Sequence, residues 1–93
     1  MGFFCYIVEC ADGTFYTGWS TDPNRRLHEH NKGRGARYTR SRRPVKLVYL
    51  EDCSSRSIAM RREKAIKRLS RIKKQSLIQT FHISNYLKED END

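Results

Sequence analysis

The sequence predicts an α+β domain: a three-stranded antiparallel sheet flanked by helices, in the order β-β-α-β-α, with room for one further C-terminal helix. Three observations lead there. The run FFCYIVEC is followed at once by ADGT, and Asp-Gly between two aromatic, β-branched segments is a hairpin signal. The returning segment TFYTGWS passes directly into Thr-Asp-Pro, where a helix starts. A third apolar segment, VKLVYLED, precedes Ser-Ser and apolar residues at helical spacing. A chain of 93 residues has the length of one domain with one modest core. Residues 1–80 are expected to form it, with 81–93 as a tail.

Each element has its own grounds. In the first strand, 3–10, both parities are apolar: Phe3, Cys5 and Ile7 on one side, Phe4, Tyr6 and Val8 on the other. A strand covered on both faces belongs in the middle of the sheet, with helices on each side. Residues 14–20 return as the second strand. Thr21 or Asp22 caps a helix with Pro23 at its first position, the one helical site that favours proline. That helix should reach about Lys32 and stop at Gly33. GRGARYTRSRRP, 33–44, is expected as a loop, and 45–52 as the third strand. Ser54 or Ser55 caps the next helix, whose apolar stripe is Ile58, Ala65, Ile66 and Leu69. A short helix over 71–79 adds Ile72, Leu77 and Ile78. The remaining TFHISNYLKEDEND has no period, and its acidic end is expected to be disordered.

Charge narrows the function. The formal net charge is +8, and LKEDEND alone holds four of the eleven acids. Residues 1–87 carry 18 basic and 7 acidic side chains. That excess suits a polyanion, nucleic acid first and an anionic membrane surface second, with plain solubility as the alternative. The odd cysteine set, Cys5, Cys10 and Cys53, contains no CxxC pair and argues against a disulfide framework. MGFFCYIVEC is too short for a membrane span, and no basic segment precedes it. A cytoplasmic protein with no membrane partner is expected.

Several residues carry chemical potential. Arg26 and His30 stand four apart on one helix face, just after the Tyr16-Thr17-Gly18 strand. The first turn of that helix favours an anion, and an arginine fork suits the charge that builds on a phosphodiester under attack. Taken singly, each also reads as an ordinary surface side chain. Glu63 is the only acid between Asp52 and Glu89, and it stands among Arg61, Arg62, Lys64, Lys67 and Arg68. It shares a helix face with Ala59, Ile66 and Lys67, so it borders the apolar stripe. Two readings are open for it: an oxygen ligand for a divalent cation, or an i,i+4 ion pair with Lys67. Tyr6 and Tyr16 suit half-buried strand positions, and a phenol also serves as a base if cationic neighbours lower its pKa. In the loop, Arg34, Arg37, Arg40, Arg42 and Arg43 interleave with Tyr38, a pattern of phosphate contacts around a base-stacking ring. Lys73 and Lys74 extend that surface. His28 and His30 are two apart on a helix and face different ways, so zinc is not expected there.

Together these positions resemble a known family. Phe4-Cys5-Tyr6 reads as a degenerate first signature triplet and Tyr16-Thr17-Gly18 as the second. Arg26 lies ten residues after Tyr16, His30 four further on, and Glu63 on a later helix. With GRGARYTRSRRPVKLVY, residues 3–78 resemble the GIY-YIG nuclease superfamily, in particular its small stand-alone bacterial members. The resemblance implies hydrolysis of nucleic-acid phosphodiesters, DNA more readily than RNA, with one divalent ion, Mg²⁺ or Mn²⁺, on Glu63. It implies Arg26 on the scissile phosphate, Tyr6 activating water, Tyr16 positioning water or phosphate, and His30 assisting. The two tyrosines can exchange roles. The chain departs from the family pattern in two places. The glycine and isoleucine of the first triplet are absent, which bears on packing. The late asparagine of several nuclease branches has Gln75 as its nearest amide. No separate recognition domain is evident, so readout of backbone or shape, or a protein partner supplying specificity, is expected. The alternatives are a nucleic-acid-binding module that does not cut and a small basic interaction protein.

The resemblance also makes a structural demand. A two-residue Asp12-Gly13 turn pairs Glu9 with Tyr16 and puts Tyr6 and Tyr16 on opposite faces, since a one-residue slip flips every side chain. A shared site needs an odd-length loop, such as three residues with a glycine bulge.

Overall fold

The first hairpin sets the geometry of everything else. The computed structural model describes residues 2–91, with side chains for residues 2–81. Strand β1 (Phe3–Glu9) pairs with β2 (Phe15–Ser20) so that Val8 faces Tyr16, Tyr6 faces Gly18 and Glu9 faces Phe15. The Cys10 amide donates to Thr14 O at 2.8 Å and the Gly13 amide to Cys10 O at 2.9 Å. The loop is therefore three residues, Ala11-Asp12-Gly13, and Gly13 takes the left-handed conformation at φ +83°. This is the odd-length glycine loop that a shared tyrosine site demands. It puts Tyr6, Val8 and Tyr16 on one face.

Strand β3 (Lys46–Cys53) pairs with the other edge of β1, giving the antiparallel order β2-β1-β3. The central strand is the one that is apolar on both faces. A bulge opposite Ile7 and Val8 leaves Val48 unpaired. One face carries Cys5, Ile7, Val48 and Tyr49 under helices α3 (Arg56–Lys67) and α4 (Arg71–Glu91), which contribute Ala59, Ile66 and Ile78. The opposite face carries Tyr6, Val8 and Val45, packed with Tyr16, Leu47, Leu50 and Leu27 of α1 (Pro23–Asn31).

Helix α1 begins as its sequence requires. The Asp22 carboxylate accepts the Arg25 amide at 3.2 Å, Pro23 follows, and Gly33 at φ +82° ends the helix. At its far end Asn31 acts as a substitute strand. Its Oδ1 accepts the Val45 amide at 2.7 Å and its Nδ2 donates to Val45 O at 3.0 Å, which ties α1 to the start of β3. Segment 33–44 is not wholly irregular. It contains a one-turn helix, α2 (Arg37–Arg40), held by the Thr39 hydroxyl donating to Ala36 O at 2.9 Å.

Two expectations are corrected. The inward stripe of α3 is Ala59 and Ile66, with Leu69 packed against the core just past its end, while Ile58 and Ala65 are exposed. The buried positions Ala59 and Ile66 share one helical face with Arg62, whose fork grips Glu51 of β3 at 2.6 and 2.8 Å while the Tyr49 hydroxyl donates to the same carboxylate at 2.6 Å. The last helix is also longer than 71–79. Ser70 caps it, Leu77, Ile78 and Phe81 dock it, and neither glycine nor proline interrupts the chain up to Glu91. The acidic end, expected to be disordered, continues α4 through Glu91, and Asn92 and Asp93 lie outside the described residues.

The hairpin account makes a stability prediction. A Cβ at Gly18 would stand 2.5 Å from Tyr6 Oη and 2.7 Å from its Cζ, and Tyr6 is too buried to yield. Gly18→Ala should cost about 1–3 kcal/mol by overpacking. Gly13→Ala meets no neighbouring atom and should cost only the roughly 1–2 kcal/mol of its left-handed backbone. Urea denaturation measures both. Only the Gly18 variant should also disturb the Tyr6 ring, seen in its aromatic NMR shifts.

Candidate active site

The centre of the site is an imidazole with no exposed surface. His30 lies on the inner side of α1, above the Tyr6 face of the sheet, and its Nε2 is 2.9 Å from the Tyr6 hydroxyl. Its Nδ1 is 2.8 Å from Thr39 Oγ1. The Thr39 hydroxyl gives its own proton to Ala36 O, so the Thr39 oxygen is left to accept from Nδ1–H. In that tautomer Nε2 carries the lone pair and accepts the Tyr6 proton. The Ala36 amide also donates toward Nδ1, but at 3.4 Å it is the weaker of the two contacts beside the 2.8 Å one with Thr39. Gly35 makes the loop's close approach to this ring feasible, since a Cβ there would collide with His30 Nδ1 and Cγ.

Electrostatics keep this pair in one protonation state. Burial pushes the Tyr6 phenol up to about 12, against the pull of the Arg26 guanidinium hydrogen-bonded to it; the Tyr16 and Glu63 charges push the same way as burial. The condition under which a phenol serves directly as a base, a pKa lowered by cations, is thus not met at Tyr6. Burial also lowers the His30 pKa, and the Arg26 charge lowers it further. The imidazole is neutral at pH 7 and free to accept.

The other expected site residues stand around this core. Tyr16 meets His30 edge-on, with ring centres 5.4 Å apart. Arg26 contacts the Tyr6 hydroxyl and lies 3.6 Å from Glu29. Glu63 on α3 is 22% exposed and makes the ion pair with Lys67, at 3.0 Å. Its charge is nevertheless felt at Tyr6, and Lys67 Nζ sits 5.8 Å from the centre of the Tyr16 ring. Tyr6, Tyr16, Arg26 and His30 therefore stand together, while Glu63 lies on α3 with Lys67 as its direct partner and reaches Tyr6 only through its charge. Among the described residues no three His, Cys, Asp or Glu side chains cluster, so a cation here depends on the single Glu63 carboxylate.

The loop residues behave unequally. Tyr38 stacks on Tyr16 at 6.0 Å, and the Arg42 guanidinium lies 4.0 Å over its ring. Arg42 also pairs with Asp12 of the hairpin at 3.0 Å and donates to Tyr38 O at 2.8 Å. Arg43 donates to Arg40 O at 2.9 Å. Arg34, Arg37 and Arg40 have exposed side chains. Lys73 and Lys74 open α4, which packs against β3, the edge opposite β2. Gln75 lines a cavity with Glu9, Phe15 and Lys46, with none of Tyr6, Tyr16, Arg26, His30 or Glu63 in its wall. Sequence reasoning missed Thr39, Gly35 and Asn31. Thr39 and Gly35 lie in a segment with no helical or strand period, so only their contacts reveal them.

Fold and site together define a small α+β catalytic domain of nuclease type. The model of the GIY-YIG catalytic domain matches residues 2–76, and the chain belongs to that family. It is 60% identical to a UPF0213 protein of Desulfotalea psychrophila over 76 residues, covering 81% of this chain and 69% of the relative. It is 57% identical to a UPF0213 protein of Halobacterium salinarum over 72 residues, covering 77% of this chain and 94% of the relative. The solution NMR structure of an E. faecalis protein is 45% identical, with a TM-score of 0.61 over 89% of this chain and 88% of that one. That of the Bacillus halodurans UPF0213 protein is 46% identical, with a TM-score of 0.56 over 86% and 85%. Among the described residues, no helix is long and apolar enough to cross a membrane.

The buried imidazole predicts a pH dependence. The folded state resists a proton that the unfolded chain takes up near the ordinary value of 6.5. Stability from this source is whole above about pH 6.5 and is lost as the pH falls toward the depressed folded value. Urea denaturation between pH 7.5 and 5.5 should show the decline. His30→Asn should cost about 1–3 kcal/mol at pH 7.5 and flatten it. An equal slope in both proteins would refute the assignment.

Proposed function

We propose that the chain is an endonuclease that hydrolyses nucleic-acid phosphodiesters, with DNA preferred over RNA, and that it depends on a divalent ion held by Glu63. The observation that carries this reading is the Tyr6–His30 hydrogen bond, with Arg26 and Glu63 acting on the same phenol. Glu63 suits Mg²⁺ or Mn²⁺, because a hard cation takes a single carboxylate and fills its remaining positions with water. When bound, the ion supplies Lewis-acid activation of water and phosphate.

The chain's own residues do the rest. Tyr6 takes a proton from the attacking water as its own hydroxyl proton passes to His30 Nε2. The high phenol pKa makes this relay necessary, since Tyr6 is protonated at neutral pH and acts as a base only by giving up its hydrogen. Thr39 holds His30 in the accepting tautomer. Arg26 meets the charge growing on the phosphate oxygens and steadies the phenol oxygen during the transfer. Tyr16 positions water or phosphate. Arg34, Arg37 and Arg40 supply phosphate contacts, so readout is of backbone and shape, with a protein partner able to add specificity. Tyr38 is already stacked on Tyr16 and covered by Arg42, so it acts here as part of the wall and not as a base platform.

Incubation with branched and linear DNA, with and without Mn²⁺, tests the proposal. Cleavage should require the ion, and Glu63→Gln should lower it about a hundredfold or more while DNA binding persists. Metal-independent cleavage, or full activity in the variant, would contradict it. Affinity should fall linearly on log–log axes with added salt, and Arg34→Ala, Arg37→Ala and Arg40→Ala should each reduce the slope by about one.

A further inference from the structure

Among the described residues, Lys67 is a cation close to both Glu63 and Tyr16 that the reading above leaves without a task. Its ammonium is 3.0 Å from Glu63 Oε1 and 5.8 Å from the centre of the Tyr16 ring. It thus joins α3 to β2 at the carboxylate assigned to the metal. The lysine is 47% exposed and the glutamate 22%. A half-exposed i,i+4 helix pair is weak and easily exchanged. Glu63 also stands in a strongly basic stretch, with Arg61, Arg62, Lys64, Lys67 and Arg68 around it and no other acid nearby in sequence. A divalent ion arriving there must displace one positive charge, that of Lys67.

Resting on the assignment of Glu63 as the metal ligand, we propose that Lys67 is a placeholder cation that neutralises Glu63 in the free protein and sets how tightly a divalent ion binds. A metal ion and an ammonium cannot share this carboxylate at close range without repulsion. The four-carbon stem lets the ammonium turn away, and the Tyr16 ring offers it a second resting place. An incoming phosphate accepts the released charge. Metal uptake and nucleic-acid binding then favour one another, and the free protein holds its ion weakly.

The test is a titration with Mn²⁺ alone, followed by paramagnetic broadening of the amide signals of residues 59–68. Wild type, Lys67→Met, Glu63→Gln and the double variant are compared. Lys67→Met should bind Mn²⁺ about tenfold more tightly than wild type, as expected when one unit charge facing a divalent ion is removed. Lys67→Arg should stay close to wild type, and Glu63→Gln should abolish the broadening in either background. Lys67 is surface-placed, and Lys67→Gln repeats the measurement if the methionine variant does not fold. Equal or weaker binding in Lys67→Met, with broadening still dependent on Glu63, would overturn the placeholder role and leave the metal assignment standing. Broadening that survives Glu63→Gln, or its absence in both wild type and Lys67→Met, would remove the metal assignment and the placeholder with it.

Discussion

One buried hydrogen bond, from the Tyr6 hydroxyl to His30 Nε2, governs how the rest of this small protein is arranged. It joins the central strand to the helix that crosses above it. Each end needs its own support. On the sheet side, the three-residue hairpin loop aims Tyr6 and Tyr16 to one face, and Gly18 leaves the space in which the Tyr6 ring lies. On the helix side, Thr39 and Ala36 hold the imidazole tautomer, and Gly35 lets their loop come close enough to do so. Interior polar pairs are costly unless fully satisfied, so these supports are conditions of the fold as much as of the chemistry.

The second constraint is electrostatic. A chain with 18 basic and 7 acidic side chains over residues 1–87 must place its few acids with purpose. Glu51 receives the fork of Arg62 and anchors α3 to β3. Asp12 receives Arg42 and fastens the arginine loop to the hairpin tip, while Arg71 donates to Gly13 O at 2.9 Å from the other side. The hairpin is therefore tied on both flanks. Arg34, Arg37 and Arg40 of the loop face solvent.

Much of this was legible in the residues. The doubly apolar 3–10 run identified the central strand, and Asp22, Pro23 and Gly33 bounded α1 because each has a distinct backbone role. The hairpin register was legible only through function: Asp-Gly by itself suggests a two-residue turn, and the demand that two phenols share a face pointed to an odd loop. The stripe of α3 was misjudged because an arginine, Arg62, counts as inward here, and hydrophobic periodicity is blind to a guanidinium gripped by a strand carboxylate. Whether cationic surroundings lower the Tyr6 phenol depends on how deeply it is buried, which the sequence does not give, and burial outweighs Arg26. Thr39 and Gly35 act on His30 from a segment that has no period, so their part appears only once the chain is folded. The length of α4 rests on docking of Leu77, Ile78 and Phe81 and on an absence of breakers, which a search for periodicity does not weigh.

The most direct measurement is the protonation state of the His30 imidazole, read by long-range ¹H–¹⁵N NMR between pH 8 and 5.5. The account predicts a neutral ring with the proton on Nδ1 and a bare Nε2 at pH 7, persisting below the pH at which an exposed histidine charges. A ring carrying its proton on Nε2, or an imidazolium at neutral pH, would contradict it, because Tyr6 would then have no acceptor for its hydrogen.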